Sequence, residues 1–250
     1  MTATIGDLDG DGDADLVVAN QGDSDFDYAN GLSLLLNNGD GTFATAVPFG
    51  AGTGPSSVAI GDLDGDGDSD LAVANYGGSN ISVLLNNGDG SFAAEAFYGA
   101  GSYPIRVSIG DLDGDGDLDL AAPNYWGNDV SVLLNNGDGT FAASLLYDVG
   151  VEPQGVSIGD LDGAGYADLA VGNVKVSTIS VLLNQCGAIC EGDANGDGLV
   201  DPLDAGFVLA RFGCPVGTGD PDCDIADMNG DGLVDPLDSG FVLARFGPCE

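Results

Sequence analysis

Short apolar runs separated by turns rich in Gly, Asn and Asp fill the first three quarters of this 250-residue chain. Residues 56–104 show the pattern in full. Val58-Ala-Ile60, Leu71-Ala-Val-Ala74, Ile81-Ser-Val-Leu-Leu85 and the stretch from Phe92 to Tyr98 are strand-length, and none reaches helix length. Between the third and fourth runs lies Asn86-Asn-Gly-Asp-Gly90, whose Asn-Gly and Asp-Gly pairs tolerate the positive φ of a tight hairpin. The pattern predicts a four-stranded antiparallel meander.

Between the first and second runs sits an acidic loop, Asp7-Leu-Asp-Gly-Asp-Gly-Asp-Ala-Asp15, which recurs from Asp62, Asp111 and Asp160 at intervals of 55, 49 and 49 residues. A fixed period marks repeated units rather than independent sites. The longer first interval has a visible source: eleven residues separate Asn20 from Leu32, where five separate Asn75 from Ile81. Four-stranded units at this spacing read as blades of a β-propeller, here about 1–55, 56–104, 105–153 and 154–185. The fourth unit reaches Asn184-Gln-Cys186 where the others have Asn-Asn-Gly-Asp-Gly and a last strand. The expected fold is therefore mainly β, a four-bladed arc or incomplete propeller whose open edges would be prone to pairing.

Alternating carboxylates around glycine converge oxygen atoms on one point, as a chain does when it wraps a hard cation such as Ca2+. The alternative is an acidic turn solvated by water, at the cost of repulsion among close like charges. The Asp-x-Asp-Gly-Asp-Gly-x-x-Asp-Leu loops, with Phe49-Gly-Ala-Gly-Thr-Gly-Pro55 and Tyr98-Gly-Ala-Gly-Ser-Tyr-Pro104, resemble FG-GAP repeats over residues 1 to about 185. Such repeats build the propellers of integrin α subunits and of bacterial surface proteins of the VCBS type, usually with about seven blades. The resemblance implies Ca2+ held by the side chains of Asp7, Asp9, Asp11 and Asp15, by Asp62, Asp64, Asp66 and Asp70, and by Asp111, Asp113, Asp115 and Asp119. It adds the backbone carbonyls of Asp13, Asp68 and Asp117. The fourth loop keeps Asp160, Asp162 and Asp168 but has Ala164 and Tyr166 at the fifth and seventh positions. With one carboxylate fewer, it is expected to bind weakly or stay empty when the others fill.

After Asn184 the chain changes character, and all five cysteines (186, 190, 214, 223 and 249) lie in this tail. Two twelve-residue loops with Gly at the sixth position follow EF-hand spacing. The first offers Asp193, Asn195, Asp197, Leu199 (by its carbonyl), Asp201 and Asp204; the second offers Asp227, Asn229, Asp231, Leu233 (by its carbonyl), Asp235 and Asp238. Near-identical segments follow, Ala205-Gly-Phe-Val-Leu-Ala-Arg-Phe-Gly213 and Ser239-Gly-Phe-Val-Leu-Ala-Arg-Phe-Gly247, each read as a short helix closed by a C-cap glycine. A duplicated loop and helix with Asp at position 12 is similar to the dockerin module of cellulosome-type assemblies over about residues 190–250, within a tail domain of residues 186–250. That likeness implies a small α-helical calcium-loop domain and a cohesin-like or surface-scaffold partner. Cohesin-binding dockerins often carry a hydroxyl-bearing pair at loop positions 10 and 11, where this chain has Pro202-Leu203 and Pro236-Leu237.

Five cysteines in so short a tail suit an oxidising compartment. The most economical pairing joins Cys214 to Cys223 and Cys190 to Cys249, leaving Cys186; other connectivities stay open. The net charge of −37, from 41 acidic against four basic residues, excludes nucleic acid as a partner. Extracellular loops of this kind bind Ca2+ at about 10⁻⁴ to 10⁻³ M, which places the protein where calcium is millimolar. No run approaches transmembrane length, and Met1-Thr-Ala-Thr-Ile5 has no signal-peptide character. Because Met1 aligns with Ser56, a signal peptide and further blades are expected upstream.

With the Asp loops and Asn-Gly hairpins on one rim, the opposite rim collects Phe26, Tyr28, Tyr76, Tyr103, Tyr125 and Trp126 beside Arg106 and Lys175. In integrin-like propellers the ligand surface also lies opposite the calcium rim, so this is the candidate face for a protein or glycan. The competing reading wedges these rings between neighbouring blades. The chain has no histidine, so nucleophile–His pairs are impossible, and most Asp residues are committed to loops. No catalytic residue is nominated. Two functions remain: a secreted recognition or adhesion protein with a docking tail, or a calcium-stiffened structural component on a scaffold or cell surface. The segment is also compatible with the non-catalytic part of a larger extracellular polysaccharide-degrading enzyme.

Overall fold

The computed structural model describes residues 2–21 and 31–184, and the backbone of 208–211 and 241–246. Four sheets follow one another along the chain. The first contains β1 (Thr2–Gly6), β2 (Asp15–Asn20), β3 (Gly31–Leu35) and β4 (Val47–Phe49). The second contains β5 (Pro55–Gly61), β6 (Asp70–Asn75), β7 (Asn80–Leu84) and β8 (Ala96–Gly99), and the third β9 (Ser108–Gly110), β10 (Asp119–Asn124), β11 (Asp129–Leu133) and β12 (Leu145–Asp148). The fourth begins β13 (Pro153–Gly159), β14 (Asp168–Asn173) and β15 (Thr178–Asn184). Within these blades every pairing is antiparallel between sequence neighbours, the up-and-down meander the apolar runs predict. The last strand of each complete blade starts later than the apolar run. Phe43, Phe92 and Phe141 instead close the hairpin through isolated bridges to Asn37, Asn86 and Asn135.

The first strands of successive blades lie side by side. Thr4 donates its hydroxyl to the Val58 carbonyl (2.7 Å), and Ser108 donates to that of Val156 (3.0 Å), so β1, β5, β9 and β13 line the inner edge of the arc. Apolar layers fill each joint. Leu8, Val17 and Leu34 of the first blade pack on Val58, Leu71 and Val73 of the second. The same layer recurs between the second and third blades and between the third and fourth. The middle strands are fully buried in the inner blades, as in β6 and β10, because a blade covers each face.

The glycine in the middle of each linker has a steric reason. A Cβ on Gly52, Gly101 or Gly150 would run into the amide of Asn75, Asn124 or Asn173 beneath it. Each of these buried Asn amides donates to a serine on the next strand, Ser82, Ser131 or Ser180.

Residues 241–246 correct one expectation. The segments read as helices carry strands in the described backbone, β16 (Val208–Arg211) and β17 (Phe241–Phe246), with β17 parallel to β15 and β16 parallel to β17. A Phe-Val-Leu-Ala-Arg-Phe run suits a sheet edge as well as a helix face, and among the described residues β15 has no antiparallel last strand of its own blade beside it. The rest of the tail, with its twelve candidate ligands and five cysteines, lies outside the described residues, as do Phe26 and Tyr28. No helix among the described residues is long and apolar enough to cross a membrane.

Candidate metal centres

Each acidic loop joins the first two strands of its blade, and its glycines adopt the left-handed conformation that lets the chain curl on itself, as at Gly65 (φ 76°) and Gly67 (φ 95°). The first carboxylate organises the curl. Asp62 accepts the Gly65 N–H (2.8 Å) and the Gly67 N–H (3.1 Å), and Asp7, Asp111 and Asp160 repeat the arrangement. Carboxylate oxygens then gather within 4.8 Å of one another: Asp7, Asp9 and Asp15; Asp62, Asp64 and Asp66; Asp111, Asp113 and Asp115; Asp160, Asp162 and Asp168. An all-oxygen, multiply charged donor set of this size fits a hard cation, so these residues would hold Ca2+. Burial raises the pKa of Asp9, Asp64 and Asp113, and neighbouring carboxylates push the same way, the cost a cation would relieve.

The ninth position does more than supply an oxygen. Asp70 is fully buried; one of its oxygens accepts the Leu63 N–H (2.7 Å) within the loop and the other the Asn86 N–H (2.7 Å) of the hairpin two strands away. Asp15, Asp119 and Asp168 make the same two bonds. Burial pushes Asp70 up to about 6 and Asp119 up to about 7, against the two N–H groups that pull the other way, and raises Asp168 as well. This residue is a bracket between loop and hairpin before any ion arrives. The seventh-position side chains turn elsewhere: Asp13, Asp68 and Asp117 lie against Gly39, Gly88 and Gly137, where a Cβ would collide with them.

Asn86, Asn135 and Asn184 were not apparent as site residues from sequence. The Asn135 amide donates both to the Leu118 carbonyl of its own loop (3.0 Å) and to the Leu63 carbonyl of the preceding blade's loop (2.7 Å). Asn86 reaches Leu8 (2.9 Å), and Asn184 reaches Leu112. The recurring Asn-Asn-Gly-Asp-Gly hairpin was the available signal, read there only as a turn. In the fourth loop Ala164 removes one carboxylate while the other three still converge, and Tyr166 lies over Gly114 of the third loop.

On the opposite rim the aromatics form one connected row. Tyr103 packs on Tyr76 (centroids 4.8 Å apart), the Trp126 indole N–H donates to the Tyr76 hydroxyl (3.2 Å), and Trp126 meets Tyr125 edge-on (5.1 Å). Tyr125 in turn donates to Glu152 (2.9 Å), which pairs with Lys175 (3.0 Å). Lys175 and that hydroxyl hold the Glu152 pKa down. Trp126 remains 56% exposed and Tyr103 42%. Tyr103 (φ 63°) and Glu152 (φ 56°) occupy the left-handed region at the linker position that is Gly54 (φ 65°) in the first repeat. Arg106 stands apart from this row, in a groove of about 530 Å³ with Gln154, Ser157 and Ile179.

Fold and loops together define an array of propeller repeats built around acidic loops. The chain carries FG-GAP-like repeats, matched over residues 7–73 and 62–122, and a dockerin type I domain, matched over residues 191–246. That combination suggests an extracellular docking or adhesion module. Among solved structures, an Agrocybe aegerita lectin, described for specific recognition of non-reducing terminal N-acetylglucosamine, is similar at 28% identity and a TM-score of 0.47. The match covers 67% of this chain and 45% of the lectin. The V. cholerae biofilm matrix protein Bap1 is similar at 19% identity and a TM-score of 0.42, over 68% of this chain and 27% of its own. The Photorhabdus luminescens Tc holotoxin pore follows at 25% identity and 0.42, over 70% and 8%. This chain thus spans less than half the length of each. None of the curated proteins matches it.

Proposed function

We propose that this is a secreted, calcium-dependent, non-catalytic recognition or adhesion protein. The propeller repeats bind a protein or glycan through the aromatic rim, and the dockerin domain docks the chain to a cohesin-like or surface scaffold. The observation that carries this reading is the division of labour between rims. One rim gathers four acidic clusters on loops shaped for a hard cation. The other aligns Tyr103, Tyr76, Trp126 and Tyr125 into a half-exposed row ending in the Glu152–Lys175 pair. Flat rings beside a fixed charge pair suit a sugar face or an aromatic-rich peptide. Two rim residues also hold left-handed backbone where the first repeat has glycine, a cost often met at binding surfaces.

Calcium is assigned to the three complete loops through their first, third, fifth and ninth residues, with a weaker site at Asp160, Asp162 and Asp168. With no histidine in the chain, nucleophile–His catalysis is ruled out. A second reading, a calcium-stiffened spacer, is favoured by the Trp126–Tyr76 bond and the Glu152–Lys175 pair, which tie neighbouring blades together. The two separate in a glycan-array and cell-surface binding assay at millimolar Ca2+. Replacing Tyr76, Tyr125 and Trp126 with Ala should abolish binding while leaving the circular dichroism unchanged. Binding that survives the triple replacement but is lost on deletion of residues 190–250 would assign function to the tail and leave the propeller as a spacer.

A further inference from the structure

One continuous run of hydrogen bonds joins the acidic loops of successive blades. Leu63, the second residue of its loop, donates its N–H to Asp70, the ninth (2.7 Å), and its carbonyl accepts the side-chain amide of Asn135 on the next blade (2.7 Å). The Asn135 backbone N–H donates to Asp119, the ninth residue of the third loop (2.7 Å), whose other oxygen accepts the Leu112 N–H (2.7 Å). Leu112 passes the pattern on through Asn184 to Asp168 and Leu161. Leu8, bonded to Asp15, passes it through Asn86 to Asp70.

The hairpin that carries each Asn is also held from both sides by carboxylate-bearing loops. A Cβ on Gly139 would stand 3.2 Å from the side chain of Asp64 in the second loop, while one on Gly137 would collide with Asp117 of the third. Gly90 and Gly88 repeat these contacts one blade earlier, with Asp9 of the first loop and Asp68 of the second. Each hairpin is thus a wedge between two acidic loops, its own and that of the preceding blade.

We propose, resting on the calcium assignment above, that neighbouring loops fill cooperatively, with the hairpin between them as the coupling element and its Asn as the positioning residue. In a loop without its ion, repulsion among carboxylates gathered within 4.8 Å works against the curl that presents the Leu63 carbonyl. Opening that loop deprives Asn135 of its acceptor and slackens the hairpin whose N–H orients Asp119. An ion in the second loop therefore fixes a hairpin that the third loop also needs, so the ion entering the third loop meets less of the ordering cost. The effect is reciprocal by linkage. Charge alone acts the other way: an empty acidic loop leaves more negative charge beside its neighbour and would tighten binding there.

The fold supplies a reporter for one loop. Tyr166 lies over Gly114, so terbium(III), which takes the place of calcium among oxygen ligands, is excited through that ring when it occupies the third loop, a signal that Tyr166→Phe should remove. The full chain is titrated with terbium in a background carrying Asp162→Asn, which silences the fourth loop. Asp66→Asn then takes one charge from the second loop while keeping the acceptor for the Asp68 N–H (2.9 Å). Half-saturation of the Tyr166 signal should move to a terbium concentration at least about fivefold higher. In Asn135→Ala, which cuts the link, the same Asp66→Asn replacement should no longer move it. Half-saturation that stays in place on Asp66→Asn, or moves to lower concentration, overturns the coupling and leaves the calcium assignment standing. A shift that persists in full in Asn135→Ala overturns the hairpin's part in it. The absence of any Tyr166-dependent signal removes the third site, and with it both the calcium assignment and the coupling. Circular dichroism at saturating terbium checks that Asn135→Ala is folded; if it is not, the Asp66→Asn comparison decides alone.

Discussion

Asn135→Ala tests whether the blades are held in line by the hairpin amides. The substitution removes the donor to a half-buried carbonyl, Leu118 of the same blade (3.0 Å), and to a buried one, Leu63 of the preceding blade (2.7 Å), and the acceptor for the Gly137 N–H (3.1 Å). Asn135 is 5% exposed, so water does not readily replace it. Leaving a buried polar group unsatisfied costs about 1–3 kcal/mol, so two orphaned carbonyls set an expected loss of about 3 kcal/mol. The neighbouring residue supplies the control: Asn136 donates to Thr140 (2.9 Å) at an exposed site, and Asn136→Ala should cost at most about 1 kcal/mol. Both variants are compared by urea unfolding at fixed Ca2+, followed through the single tryptophan, Trp126, which belongs to the same blade. If Asn135→Ala and Asn136→Ala unfold at midpoints that agree within error, the cross-blade bond does not carry the joint and the argument fails.

Gly101→Ala should destabilise by about 1–3 kcal/mol, because its Cβ would strike the Asn124 amide; Gly99→Ala, two residues away with open space around it, should be near neutral in the same unfolding assay. Ala164→Asp should add one calcium site of affinity comparable to the intact loops, read as an increase in calorimetric stoichiometry; an unchanged count would refute charge number as the reason for the fourth loop's weakness. In chelator, the urea midpoint should fall as pH rises from about 4 to about 7. Folded Asp70 and Asp119 titrate at about 6 and about 7, above their ordinary value of 3.8, so the folded state holds the extra protons across that window and loses stability as they leave. Asp40, Asp89, Asp138 and Glu152 have lowered pKa values and act below this range. Saturating Ca2+ should flatten or reverse the slope, since the ionised carboxylates are the ligands; a midpoint that rises with pH in chelator contradicts the burial argument.

The strands and loops were legible because alternation, glycine and a 49-residue period are local properties. The clusters at Asp62, Asp64 and Asp66 follow from spacing alone. What stayed hidden depends on neighbours in space. Sequence marks Asp70 as a carboxylate but cannot show that its oxygens are tied to Leu63 and Asn86. It marks Asn135 as a turn former, not as a donor to a residue 72 positions earlier. The left-handed Tyr103 and Glu152 were visible only by aligning them with Gly54, and Phe241–Phe246 is ambiguous because the same apolar run serves helix or sheet.

The sameness of the joints bears on how such a chain changes length over evolutionary time. Excising residues 56–104 would bring Asn135 to the place Asn86 now holds, with the Leu8 carbonyl as its acceptor and Ile109 over Gly6 in place of Ile60. Unequal recombination between neighbouring repeats therefore lands on a foldable product whenever it shifts by one whole period. An arc assembled in this way can gain or lose a blade in a single genetic event, without any compensating substitution.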